Sequence, residues 1–154
     1  MKGSPKVLAA LDSLLTTELA AINQYFVHSE MLANDGYDRL AKVTKQRALA
    51  EMGHAEKLIE RILFLEGRPT VDRPLSVNIA SKTKGMLAND LTAEKATLDK
   101  YNSAIGLCRT EGDNVTREML ERIAKDEDEH ANYLESSLAQ VRDMGEGLFL
   151  SHQT

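Results

Sequence analysis

Two matching sets of polar residues dominate the chemistry this chain can do. Glu18, Tyr25, Glu51 and His54 lie in the first half, and the same residue types recur 76 positions later as Glu94, Tyr101, Glu127 and His130. The flanking sequence is not strongly repeated, so the match picks out side chains that carry chemistry. Glu51 and His54 stand three apart, as do Glu127 and His130, and on a helix that spacing puts both on one face. One Glu-x-x-His is a weak signal, because exposed helices produce it often. Two copies, each with a further glutamate at a matching level, are specific. Four carboxylates and two imidazoles supply the oxygen and nitrogen donors that suit two metal ions. The positive charge of such a pair offsets a cluster of acids otherwise costly to bury. Glu18 and Glu94 are read as terminal ligands. Glu51 and Glu127 are read as bridges, since His54 and His130 on the same helices can each hold one ion. Tyr25 follows Glu18 by seven residues, on the same helix face, as a hydrogen-bond partner of a ligand or an electron donor. Tyr101 follows Glu94 in the same way, and plain core packing is the alternative for both.

These residues need long helices to bring them together. A first helix is predicted from Ser4 or Pro5 to Asn34, with Ser4 as cap, Pro5 in the first turn and apolar steps at Val7, Leu8, Leu11, Leu14, Leu15, Ala21, Ile22 and Phe26. Asn34-Asp35-Gly36 stops it. A second runs from Tyr37 to Glu66, closed by Gly67 as its left-handed residue and by Pro69. Gly53, inside it, predicts close packing against a neighbour. A third spans Ser81 to Arg109 and a fourth Asn114 to Met144. Gly145 and Gly147 then break the chain before a short apolar piece, Leu148 to Leu150.

Helices of roughly 30 residues are about 45 Å long. The turns near residues 34–37 and 111–114 make two antiparallel hairpins. Glu18 and Glu51 are equidistant from the first turn, and Glu94 and Glu127 from the second, so each pair shares a level. The connection from Arg68 to Ala80 is long enough to travel the bundle, at roughly 3.3–3.6 Å per residue. The third helix then runs parallel to the second, and all four glutamates converge at one height. The expected fold is all-α: a ferritin-like four-helix bundle with one long crossover and a short C-terminal fifth helix, in a single domain over residues 1–154.

Composition narrows the function. A net charge of -5, with lysines and arginines interspersed among acids, argues against binding DNA or RNA. Cys108 is the only cysteine, so no internal disulfide forms, and it reads as a buried helix residue. No apolar run reaches the length of a membrane span, and the N-terminus has no signal-like apolar stretch. The expectation is a cytoplasmic protein with no nucleic-acid or membrane partner.

The segment from Glu51-Met52-Gly53-His54-Ala55-Glu56 through Glu66-Gly67 resembles bacterioferritin, the haem-containing branch of the ferritins. Thr17-Glu18-Leu19 and Asp126-Glu127-Asp128-Glu129-His130 resemble it too, and the likeness covers nearly the whole chain. One glutamate from each of two helices plus Glu-x-x-His from the other two is the ligand pattern of such bundles. The resemblance implies iron storage and detoxification. Ferrous iron would be oxidised with oxygen or peroxide at a di-iron ferroxidase centre and stored as hydrated ferric oxide. It implies a homo-oligomeric shell of 24 subunits built from dimers, compatible with a second bacterioferritin subunit type. It also implies a small iron–sulphur ferredoxin for iron release.

Haem b is implied at the dimer interface, shared between two subunits through Met52, with Leu19, Ile22, Asn23, Phe26, Leu49, Ala55 and Ile59 matching the pocket. Met52 follows Glu51 by one position and so points about 100° away from it. Lys45 stands where the family often has an aromatic residue, and Tyr133 where it sometimes has tryptophan. Gln46 and Ala50 replace a histidine and an acid that form an extra inner-surface iron site in some members, so that site is expected to be absent. A di-iron oxygenase or peroxidase would use the same ligand set. A DNA-protecting miniferritin is a third class, disfavoured because both Glu-x-x-His motifs lie in one subunit.

Overall fold

The computed structural model describes residues 1–154 as five helices: α1 (Pro5–Asn34), α2 (Asp38–Phe64), α3 (Thr83–Thr110), α4 (Asn114–Met144) and α5 (Glu146–Ser151). This is the expected all-α four-helix bundle with one long crossover and a short fifth helix. No helix is long and apolar enough to cross a membrane.

The three- and four-residue steps of leucine, isoleucine and valine build two separate apolar cores. One holds Val7, Leu11, Leu14 and Leu15 of α1, Leu58 and Ile62 of α2, Tyr101 and Cys108 of α3, and Leu120 and Ile123 of α4. The other holds Leu32, Leu40, Met86, Leu87, Leu134 and Val141, closed by Phe149 of α5. Each core joins the start of α1 to the start of α4, or the end to the end, so α1 runs parallel to α4 and α2 parallel to α3. Full burial of a leucine contributes about 1.5–3 kcal/mol, and these cores offset the cost of the polar layer between them. Leu58 has no exposed surface, and Leu58→Ala would cost about 2–5 kcal/mol.

Several local expectations change. Ser4 occupies the N-cap of α1 but caps nothing with its side chain; its hydroxyl donates to Glu111 at 2.6 Å and ties α1 to the α3–α4 turn. The left-handed residue after α2 is Glu66, at φ 63°, not Gly67. Gly67 instead donates to the carbonyl of Ile62 at 2.8 Å. A Cβ there would meet Leu8 Cδ2 at 2.6 Å, so closeness rather than a left-handed backbone requires glycine. Gly53 has open space where its Cβ would be, so nothing in this chain packs closely on it. Gly145, at φ 85°, breaks the chain as expected, whereas Gly147 lies within α5. Phe26, part of the apolar stripe read along the first helix, projects outward rather than into the core.

The crossover from Leu65 to Lys82 has no helix or strand and is pinned by side chains of α1 and α3. Asp12 accepts from the Thr70 N–H at 2.8 Å and from the Arg73 guanidinium. Gln24 Oε1 accepts from the Asn78 N–H at 3.0 Å, and His28 Nε2 from the Ala80 N–H at 3.2 Å. Asn89 donates to the Asn78 carbonyl at 3.2 Å. These bonds satisfy backbone groups that no regular structure serves.

Candidate metal centre

Between the two cores, Glu18, Glu51, His54, Glu94, Glu127 and His130 meet in a buried polar layer. Their ligand atoms fall into two overlapping groups: Glu18, Glu51, His54 and Glu127, and Glu51, Glu94, Glu127 and His130. Within each group all ligand atoms lie within 4.8 Å of one another. Glu51 and Glu127 belong to both groups. Glu18 and Glu94 each belong to one.

The 76-residue repeat is a two-fold relation in space. Tyr25 donates its hydroxyl to Glu94 of the other hairpin, and Tyr101 donates to Glu18. Both tyrosines therefore hold an acid across the bundle rather than the one on their own helix. His54 Nδ1 lies 2.9 Å from Glu51 and 2.8 Å from Glu127. His130 Nδ1 lies 3.0 Å from Glu51 and 3.2 Å from Glu127.

The electrostatics follow from the burial of many charges together. Burial opposes a charge on His54, but hydrogen bonding and attraction to Glu127 and Glu51 prevail and lift its pKa to about 10. The same contest at His130 ends at about 11. Burial, then the charges of Glu127 and Glu51, pushes Glu18 well above the carboxylate range. Burial also raises Glu94 to about 7. Burial works against Glu51 as well, yet its bonds to His130 and His54 win and lower it. Burial, then Glu94, pushes Tyr25 up, and burial, then Glu18, pushes Tyr101 up, so both remain phenols.

Protons satisfy only part of this cluster. Glu18 Oε2, Glu51 Oε1, both oxygens of Glu127 and His130 Nδ1 are buried, and although the imidazoles and carboxylates stand at ion-pair distance, none of these atoms makes a well-directed hydrogen bond. Five orphaned donor atoms in one small space are rare in a folded protein. They converge on the shared glutamates, and hard oxygens with imidazole nitrogens are the donors divalent iron accepts. The residues present therefore fit a di-iron centre.

A cavity approaches the layer from outside. A cavity of about 370 Å³ between α1, the crossover and α3 is lined by Thr17, Gln24, Asn78, Asn89, Thr97 and Lys100, among others. A void of about 10 Å³ beneath it touches Glu18, Glu51, Glu94 and Glu127. Ala21, Gln24, Ala93 and Thr97 line both, so small side chains and one glutamine separate the acids from the cavity. Gln24 is held there by Asp90 at 2.7 Å, which also pairs with His28 at 2.9 Å. Gln24, His28, Asp90 and Asp126 were not among the predicted site residues. Their signal was weak: Asp90 stands one turn before Glu94, while Gln24 and His28 flank Tyr25 within one turn. None has a counterpart of the same type 76 positions away.

The other predicted residues lie outside the acid cluster, most of them at or near the surface. Met52 is 49% exposed beside exposed Leu49 and Phe26, with Leu19, Ile22 and Ile59 half-buried against the first core. Asn23 donates to the Leu19 carbonyl at 2.7 Å, and Ala55 lies buried beneath the surface. Lys45 stands 5.5 Å over the Phe26 ring and pairs with Glu30 at 3.2 Å. Tyr133 is half-buried under the Arg47 guanidinium, outside the acid cluster. An outward thioether in apolar surroundings fits a haem axial ligand. Gln46 is exposed and Ala50 half-buried.

The model of the ferritin-like domain matches residues 8–144. The bacterioferritin of Mycobacterium avium is 40% identical over 149 residues, covering 97% of this chain and 94% of that protein. The bacterioferritin of Streptomyces coelicolor is 37% identical over 98% of this chain and 90% of its own length. That of Brucella melitensis is 37% identical over 95% and 91%.

Proposed function

Since the chain belongs to the bacterioferritin family, we propose that it oxidises ferrous iron at this centre and stores the product as hydrated ferric oxide inside a 24-subunit shell. The observation that carries the reading is the pair of overlapping ligand groups sharing Glu51 and Glu127, with their buried oxygens unpartnered. Iron supplies the redox chemistry, one electron leaving each ferrous ion for oxygen or peroxide. The protein's residues do the rest. Glu18 with His54, and Glu94 with His130, would hold the two ions, with Glu51 and Glu127 available to both positions. Negative oxygen donors favour the higher charge of the product. Tyr101 and Tyr25 orient Glu18 and Glu94 through their hydroxyls. The Nδ1 protons of His54 and His130 leave as metal enters, so loading releases protons. The opening past Gln24 and Thr97 is the route inward.

Met52 from each of two subunits would grip one haem b between Leu19, Ile22, Asn23, Phe26, Leu49, Ala55 and Ile59. The haem would carry electrons for iron release, drawn from a small iron–sulphur ferredoxin. The shell is a homo-oligomer built from dimers, and the protein works in the cytoplasm.

Replacing Glu18 and Glu127 together with alanine tests the centre. Rapid ferrous oxidation should stop while the assembly still forms; oxidation that stays fast would refute the ligand assignment. Replacing Met52 with leucine should abolish the haem absorption band and leave oxidation in place. An unchanged band would sink the axial-ligand role.

A further inference from the structure

The two-fold relation of the centre fails at one place behind the histidines. His54 turns Nδ1 toward Glu51 and Glu127, and its other nitrogen, Nε2, lies 3.2 Å from Asp126 Oδ2. Asp126 is half-exposed, on α4, one residue before Glu127. The 76-residue repeat maps His54 onto His130 and Asp126 onto Ala50. Ala50 sits one residue before Glu51 on α2 and offers a methyl group where its counterpart offers a carboxylate.

A histidine that binds metal through one nitrogen keeps its proton on the other. A carboxylate that accepts that proton's hydrogen bond fixes the tautomer, locks the ring and makes the coordinating nitrogen a better donor. His54 has this support and His130 does not. We infer that Asp126 makes the two metal positions unequal, so that the Glu18–His54 position binds a divalent ion more tightly than the Glu94–His130 position. Asp126 is a positioning residue: it acts through His54 and belongs to neither ligand group. The weaker position is then the exchangeable one, which empties while its neighbour stays filled. This rests on the proposed two-metal reading.

The test is a titration of the metal-stripped, assembled protein with Co²⁺, followed by its visible absorption. The wild type should bind two ions per subunit in two resolved steps. Glu18→Ala, which deletes a ligand of the Asp126-backed position, should remove the tighter step. Asp126→Asn, at a half-exposed site that does not threaten folding, should weaken that step roughly 10–100-fold and leave the weaker one unmoved. Ala50→Asp should tighten the weaker step with the total still two. Two equal steps in the wild type would overturn the inference and leave the two-metal reading standing. So would an Asp126→Asn protein that matches the wild type, or an Ala50→Asp protein that gains a third ion with its weaker step unmoved. A wild type that binds no more Co²⁺ than Glu18→Ala would overturn both.

Discussion

Glu18→Gln should make the metal-free protein more stable and the metal-loaded protein less so. Glu18 has no exposed surface; its Oε1 accepts the Tyr101 hydroxyl and its Oε2 has no partner. Burial, then the charges of Glu127 and Glu51, raises its pKa well above 4.5. An acid whose pKa is raised by folding binds its proton more tightly in the native state. Stability therefore falls as pH climbs above the unfolded value near 4.5. At about 1.36 kcal/mol per unit, the ceiling on that loss at pH 7 is about 3 kcal/mol. The cost of one orphaned buried acceptor, about 1–3 kcal/mol, is the same desolvation seen another way and is not added to it. Glutamine keeps the shape and the acceptor for Tyr101 without the charge. The metal-free variant should gain about 1–3 kcal/mol at pH 7, several degrees at about 2–4 °C per kcal/mol. The gain should vanish near pH 4.5. Metal reverses the order: at a hundredfold excess over its dissociation constant an ion stabilises by about 2.7 kcal/mol, and glutamine forfeits an anionic donor. The assay is the melting temperature of stripped assemblies at both pH values, with and without Co²⁺. A metal-free variant melting at or below wild type at pH 7, or an equal Co²⁺ shift in both proteins, would refute this reasoning.

Tyr25→Phe and Tyr101→Phe each remove the donor to a buried carboxylate. Each should lower the stability of the metal-free protein by about 1–3 kcal/mol in chemical denaturation. The imidazoles of His54 and His130, with pKa values raised to about 10 and 11, contribute stability that is complete below the unfolded value near 6.5. That stability drains as pH rises through 10 and 11, by up to about 1.4 kcal/mol per unit for each ring. Metal-free melting temperatures should therefore fall from neutral to alkaline pH, and bound metal, which replaces those protons, should flatten the trend. Gln24→Ala should widen the passage and speed Co²⁺ uptake in stopped-flow absorbance, while leaving Asp90 and the Asn78 N–H short of a partner at a cost of about 1–3 kcal/mol.

The six clustered acids and imidazoles were legible because the donor types that suit a metal are few and helix geometry restricts their spacing. Glu51 with His54 and Glu127 with His130 cannot be moved by one residue without leaving the face. The middles of the helices were legible for the same periodic reason, and the span of α4 was read as it stands. Their ends were less so, because an end is decided by what lies nearby in space. Ser4 looks like a cap until Glu111, far along the chain, takes its hydroxyl. Gly67 looks like a left-handed terminator until Leu8 crowds it and Glu66 takes the positive φ. The spacing from Glu18 marks Tyr25 as a partner of some site carboxylate, which it is, but which one is set in space: its hydroxyl crosses to Glu94. Gln24, Asp90 and Asp126 gained their roles from the crossover, the cavity and an opposing helix, and none of these has a spacing rule.

The division of the centre between two hairpins bears on how the protein is made. Glu18, Glu51 and His54 emerge from the ribosome well before Glu94, Glu127 and His130. A half-synthesised chain can close its first hairpin through local contacts, yet it owns three donors and neither complete group. The strap over residues 65–82 carries the chain to the second trio, which stands opposite the first. Nascent polypeptide thus has no chelating cage of its own, and reactive iron meets its full coordination sphere only in a finished chain.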